Sequence, residues 1–165
     1  MMIGPQPSLK ARALRLLALR EHTRAELERK LAPHAADAPA RQAELARTLD
    51  ELAAKGLISE ARVVESTLHA RAGKLGAARV LDELRRKGVG GAALADAAET
   101  LRDTELERAR AVWRKKFGGQ PDAVAGNRAA ARAKQLRFLA ARGFSGDIAR
   151  QVVRGAEEPD MPLSG

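Results

Sequence analysis

A nine-residue phrase, Leu-x-x-Leu-x-x-(Lys/Arg)-Gly-apolar, occurs three times, from Leu49 to Leu57, Leu81 to Val89 and Leu136 to Phe144. Two leucines three apart share a helix face, and a glycine four residues past the second can take the left-handed conformation that ends a helix. With each glycine as the first residue outside its helix, Leu52 and Leu57, Leu84 and Val89, and Leu139 and Phe144 occupy the two positions whose side chains meet in a Schellman cap. Lys55, Lys87 and Arg142 then stand at the last carbonyls, where the helix dipole favours a cation. A degraded fourth copy runs from Leu14 to His22. Leu17 and Arg20 keep its register, but Glu21 replaces the glycine, so that turn must avoid the left-handed region and be built differently. The chain is built by repetition of short helices.

At 165 residues there is room for one domain or a short array of small units. The 45% apolar fraction includes only three Phe, one Trp and no Tyr, so the core must be thin and formed by close helix approach, and strands are poorly supplied. Absence of cysteine excludes disulfides and thiolate metal sites and is compatible with a reducing cytosol. No apolar run is long enough for a signal peptide or a membrane span. The expectation is a soluble, cytoplasmic protein with no membrane partner.

Periodicity and stop signals predict an all-α fold of about nine helices. They fall near residues 9–20, 23–31, 41–55, 59–72 and 76–87, then through Leu94 and Leu101, through Leu106 to Phe117, and near 127–142 and 146–153. Thr23-Arg24-Ala25-Glu26 reads as a capping box, and Ser59 and Ser145 stand in capping positions. Units of three helices over 9–55, 59–101 and 103–153 suggest tandem repeats stacked into an elongated, curved array, each too small to bury its own apolar face. Residues 1–8 and 154–165 are expected to be disordered, and 118–126 to form the longest internal linker.

The net charge of +9 is unevenly placed: from Arg108 to Gly146 ten Lys/Arg face one acid, Asp122, while elsewhere 20 bases balance 20 acids. Within that basic third, Trp113-Arg114-Lys115-Lys116-Phe117 could stack bases and meet phosphates. Trp113 and Phe117 align with Leu106, however, which favours a core role for the aromatics and leaves the cations as the functional part. In the next helix Lys134, Phe138 and Arg142 recur every four residues as a stripe away from the Leu136 and Leu139 face, with Arg128, Arg132 and Arg137 around it. Helix facing alone does not decide whether Phe138 packs against a neighbour or meets a base. With no acid between Asp122 and Asp147, salt bridges within this helix cannot neutralise it, which points to a polyanion contact. Arg79 and Arg86 are secondary candidates, because Asp82 and Glu83 lie within a turn of them and Glu83 can pair with Lys87.

Catalysis is poorly supported. His22, His34 and His69 are scattered, His22 in an apolar slot of the repeat, and no phosphate loop, dinucleotide fingerprint or nucleophile elbow is present. No cofactor, metal site or catalytic residue is expected.

From about Leu14 to Val153 the chain resembles the RecX family of bacterial recombination regulators. The resemblance rests on Gly76-Ala77-Ala78-Arg79-Val80-Leu81-Asp82-Glu83-Leu84-Arg85-Arg86-Lys87-Gly88-Val89, then Trp113-Arg114-Lys115-Lys116-Phe117-Gly118, then Lys134-Gln135-Leu136-Arg137-Phe138-Leu139 with Arg142-Gly143-Phe144-Ser145. Gly56-Leu57-Ile58-Ser59-Glu60-Ala61-Arg62-Val63-Val64 is also similar, although Val63 stands where the family usually has an aromatic. The resemblance implies an array of three-helix repeats that binds the RecA recombinase and its filament on single-stranded DNA, restraining ATP hydrolysis and strand exchange and so regulating recombination and repair. It implies no enzyme. The expected form is a monomer when free. The alternatives are a self-sufficient nucleic-acid-binding protein of helix-turn-helix type, and a helical scaffold with incidental basic charge.

Overall fold

The computed structural model describes residues 4–119 and 127–157, and among them regular structure is entirely helical. The helices are α1 (Leu9–Leu19), α2 (Arg24–Leu31), α3 (Pro39–Ala54), α4 (Glu60–Arg71), α5 (Ala77–Arg86), α6 (Gly91–Phe117), α7 (Arg128–Ala141) and α8 (Gly146–Glu157), with a 3-10 turn at Ala32–His34. Eight α-helices replace the expected nine because the two predicted between Gly91 and Phe117 are one helix of 27 residues. No glycine or proline follows Gly91 until Gly118, so nothing interrupts the ladder. α8 runs on to Glu157. Most of the expected linker and tail, 120–126 and 158–165, lies outside the described residues, as do residues 1–3.

All three phrase glycines have the left-handed backbone, with φ of 72° at Gly56, 89° at Gly88 and 91° at Gly143, and among the described residues no other residue type takes positive φ. The Schellman bonds are complete: Leu57 N–H donates to the Leu52 carbonyl (3.0 Å), Val89 to Leu84 (3.0 Å) and Phe144 to Leu139 (3.2 Å). After α1, Arg20 is extended instead (φ −167°, ψ 171°), the different construction that Glu21 demands. The caps at Ser59 and Ser145 also form, accepting from Arg62 N–H (3.2 Å) and Ile148 N–H (3.3 Å).

Residues up to Ser66, together with Leu84–Ala93, make one compact unit; Thr67–Glu83 and the residues from Leu94 onward make a second. In the first, Leu9, Ala13, Leu27, Leu31, Ala35, Leu45, Leu49 and Leu52 form the core between α1, α2 and α3. The capping box at Thr23 and Glu26 is closed in both directions. Burial alone would raise the Glu26 pKa, but the Arg20 guanidinium at 2.7 Å and the Thr23 N–H at 3.0 Å outweigh it and hold the carboxylate below its ordinary range. The Thr23 hydroxyl also donates to the Lys87 carbonyl, fastening the Gly88 turn onto the start of α2. A Cβ on Gly88 would stand 2.7 Å from that of Ala25, so this position needs glycine for space as well as for φ.

The second unit repeats the device. Gly76 N–H, at the start of α5, donates to the Arg142 carbonyl (2.8 Å), fastening the Gly143 turn there. The two backbones meet directly: a Cβ on Gly76 would lie 2.2 Å from the carbonyl of Gly143 and the nitrogen of Phe144. A second tie comes from α6. Buried Glu105 accepts from Ala77 N–H (3.3 Å), the first donor of α5. Arg108 donates to the carbonyls of Ala72 (2.9 Å), Leu75 (2.7 Å) and Leu101 (2.8 Å) and lies 6.0 Å above the Phe144 ring.

Candidate nucleic-acid interface

The basic helices α6 and α7 are locked together by aromatic residues. Phe117 meets Phe138 edge-on (5.3 Å between centroids, 88°) and Trp113 at a tilt (6.1 Å, 41°), while the Trp113 indole N–H donates to Gln135 Oε1 at 2.9 Å. The Trp113 and Phe138 rings pack on a core of Ala109, Val112, Leu139, Phe144, Ala149, Val152 and Val153, and Phe117 is itself buried. Trp113 and Phe117 are therefore core residues, as their alignment with Leu106 suggests. Phe138 does not stand wholly on an outward stripe; it is half-buried and packs into the same cluster, with the Arg142 guanidinium 5.1 Å over its ring.

On this platform Arg114, Lys115 and Lys116 occupy the exposed last turn of α6, where the helix dipole favours them. Arg128, Lys134, Arg137 and Arg142 are exposed on and just after α7. Among the described residues, none of these seven side chains has a carboxylate within ion-pair distance. Arg132 is half-buried and meets Glu157 at 3.9 Å, a loose and solvent-screened contact. The Trp113–Gln135 and Phe117–Phe138 contacts bring the end of α6 against the middle of α7, so the Arg114–Lys116 group and the Lys134–Arg142 group belong to one packed pair of helices.

Two residues change standing. Arg110, exposed one turn before Arg114 on the same helix face, extends the basic stripe; its i, i+4 spacing was the signal available in the sequence. Arg108, by contrast, leaves the exposed field, because its guanidinium donates to three backbone carbonyls and to the Thr104 hydroxyl (3.0 Å) within the fold. Burial lowers its pKa, opposed by the Glu105 charge, and the guanidinium remains the charged hub of the α4–α5 turn.

The secondary candidates separate. Arg79 is exposed with its stem against Gly143, beside the Arg142 turn, such that a Cβ on Gly143 would come within 2.6 Å of its Cγ. Arg86 lies at the other end of α5, where Asp82, Glu83, Arg85, Arg86 and Lys87 all have partners. Glu83 is 3.1 Å from Arg71.

The family description "RecX, third three-helix domain" matches residues 103–153, the segment that holds the basic platform. Over 153 residues the chain is 56% identical to the "Regulatory protein RecX" of Leptothrix cholodnii, covering 93% of this chain and 92% of that one. It is 43% identical over 158 residues to the protein of the same name from Ralstonia nicotianae, covering 95% and 94%. The crystal structure of RecX from Lactobacillus salivarius shares the fold, with a TM-score of 0.66 at 19% identity over 90% of this chain and 94% of that one. Among the described residues no helix is long and apolar enough to cross a membrane.

Proposed function

Since this chain belongs to the RecX family of regulatory proteins, we propose that it binds the RecA recombinase and its filament on single-stranded DNA in the cytoplasm and inhibits ATP hydrolysis and strand exchange, acting as a monomer and without chemistry of its own. The observation that carries the DNA contact is the set of cations on α6 and α7 that no described carboxylate neutralises, held on helices whose aromatics are already committed to packing. Exposed and unpaired cations on a rigid support suit phosphates spaced along a strand. Base stacking is the weaker part of this reading, because Trp113, Phe117 and Phe138 are occupied with one another.

The two fastened glycine turns support three-helix repeats, with α1–α3, α4 to the first half of α6, and the remainder of α6 to α8 as successive copies. Repeats suit a repeating target. Several weak contacts to successive recombinase subunits and their DNA would combine into a slow-leaving complex, and preference for one filament conformation would shift activity without any reaction.

The test is titration of the chain into a recombinase ATPase assay on single-stranded DNA. Turnover is expected to fall, at substoichiometric ratios if filament ends are capped and near saturation if the lattice is covered. Unchanged turnover would overturn the proposal. A helix-turn-helix reader would instead lose about 1–3 kcal/mol per mismatched base pair, whereas the phosphate contact proposed here is indifferent to sequence.

A further inference from the structure

Helix α1 is apolar on the side that faces water as well as on the side that faces the core. Eight of its 11 residues are leucine or alanine, and no acid stands among them. Leu9, Ala13, Leu16 and Leu17 belong to the core of the first unit or pack against it. Ala18 is exposed on the other side, with Leu14 40% and Leu19 82% exposed. A surface helix ordinarily carries polar residues there, and one that is apolar all round is covered all round. Leu57, 41% exposed, adjoins this face. Two ties bring it there: Glu51 accepts from Lys10 (2.7 Å) and Lys55 (2.8 Å), and Arg62 donates to Glu21 (2.9 Å) and to the Gly56 carbonyl (2.7 Å). Leu14 and Leu19 lie between the tied residues on one stretch of chain, and Leu57 lies between them on the other.

The repeat does not demand these exposures. In the slot of Leu14 the other copies of the phrase hold Leu49, Leu81 and Leu136, all buried or half-buried; in the slot of Leu19 they hold Ala54, Arg86 and Ala141; in the slot of Leu57 they bury His22, Val89 and Phe144. Charge indicates what covers the surplus. Arg15 stands on the outward face between Leu14 and Leu19, exposed and with no carboxylate within ion-pair distance among the described residues. The other two cations of α1 are engaged, Lys10 by Glu51 and Arg12 by Gln6 Oε1 (2.9 Å) and the Pro7 carbonyl (3.2 Å). A second copy of the chain fits badly, because a two-fold contact sets α1 against α1 and brings Arg15 towards Arg15 with no acid on either helix. The patch, on the order of a few hundred Å², is also short of the roughly 800 Å² per partner that a stable pair buries. An apolar ridge with one free cation instead fits an apolar groove that carries a carboxylate on its rim.

We propose that the outward face of α1, together with Leu57, docks in such a groove on a recombinase subunit, with Leu14, Leu19 and Leu57 as anchors and Arg15 against the rim carboxylate. This rests on the reading of the chain as a regulator of the recombinase filament, and it assigns the protein contact to the first unit and the DNA contact to the second. A contact of this size is weak alone and gains from a second contact made by the same chain to the same target. The two also differ in kind: apolar burial survives added salt, whereas attraction to phosphates is lost.

The test measures three things with the full chain: binding to DNA-free recombinase at about 0.5 M salt, where charge attraction is screened, binding to an oligothymidylate at low salt, and inhibition of ATP hydrolysis on single-stranded DNA. Leu19→Gln removes the most exposed anchor without entering the core and should weaken recombinase binding about tenfold; Leu14→Gln, Leu19→Gln and Leu57→Gln together should weaken it about a hundredfold. At low salt Arg15→Glu should weaken it about tenfold and Arg15→Lys should recover most of that. Each variant should need correspondingly more protein to inhibit turnover while binding the oligothymidylate within about twofold of the parent chain. If the parent inhibits turnover and the leucine variants match it, or if the parent inhibits but does not hold the recombinase at high salt, the proposal is overturned and the reading of function stands. A parent that neither binds the recombinase nor slows its turnover rejects that reading, and this proposal with it. Light scattering that finds the parent dimeric and the triple variant monomeric overturns it by giving the face to a second copy. Loss of oligothymidylate binding by Leu19→Gln as large as its loss of recombinase binding overturns it too, because the two contacts would not be separate.

Discussion

In the first unit charges are spent within the fold, whereas on the α6–α7 platform they are left facing outward. Arg20 meets Glu26, Arg24 meets Glu28 and Asp50, Arg62 meets Glu21, and Glu51 sits between Lys10 and Lys55, whose ammonium groups hold its pKa down at about 2. Around Arg114 and Lys134 no such partners exist among the described residues. Both regions use the same glycine-ended helices, so the difference does not come from the fold. Exposed ion pairs contribute little stability; leaving the platform unpaired therefore costs the fold little while giving it a field that the first unit lacks.

The turns differ between regions as well, and the largest expected effect tests that. Gly56 in the first unit has open space where a Cβ would go, and Leu57 beside it is 41% exposed, whereas Phe144 beside Gly143 in the second is 4% exposed. Gly56→Ala should cost about 1 kcal/mol, from backbone strain alone. Gly76→Ala, forced against the Gly143 backbone, should cost about 3 kcal/mol or prevent folding. Urea denaturation measures both, and equal costs would deny that the second unit is joined through its glycines.

The charge contrast predicts the next effect. Reversing Arg132, Lys134, Arg137 and Arg142 to Glu should weaken oligonucleotide binding about a hundredfold and filament inhibition with it, because phosphate attraction dominates such affinities. Reversing Arg79, Asp82 and Arg86 should change either by less than about threefold, since those charges are mixed in sign. Equal losses would move the surface to α5. For about six to eight phosphate contacts, log affinity against log salt should slope near −4 to −6, and the fourfold reversal should flatten it. A flat response in the parent chain would remove the DNA contact altogether.

The smallest effect lies in the first unit and depends on pH. His22 is 1% exposed; burial lowers its pKa, opposed by its bond to the Arg20 carbonyl. A base held neutral in the fold binds its proton more readily when unfolded, so its stabilising effect is complete above its ordinary pKa of 6.5 and declines as pH falls below it. Glu26, with its pKa lowered from 4.5, adds a second loss as pH falls through that value and below. Urea midpoints at pH 7.5, 5.5 and 4 should fall in two stages, and His22→Gln should remove the first.

What the sequence revealed was local. The three Schellman turns, the capping box and the Ser59 and Ser145 caps depend on residues a few places apart, and their spacing carries that information directly. The missed features join distant residues or depend on facing. Arg108 counted as one more cation because a charge tally does not know that two carbonyls of the α4–α5 turn and one from its own helix converge on it. Glu105 at the start of α5 and Gly76 against Gly143 involve separations of 28 and 67 residues. Phe138 looked outward because Lys134 and Arg142 share its row, and only Phe117 on another helix turned that row into a packed edge. The continuity of α6 was hidden by its unremarkable composition, since the absence of a breaker leaves no mark.

The contact between Gly76 and Gly143 is made of main chain on both sides, so no side chain is available there to be enlarged, trimmed or recharged. Anyone splicing these helices into a longer synthetic series would have to transfer the two glycines as a matched fitting, one at the head of each receiving helix and one at the tail of each incoming hairpin. A library randomised at either position alone should return glycine almost exclusively, however freely the surrounding leucines are exchanged.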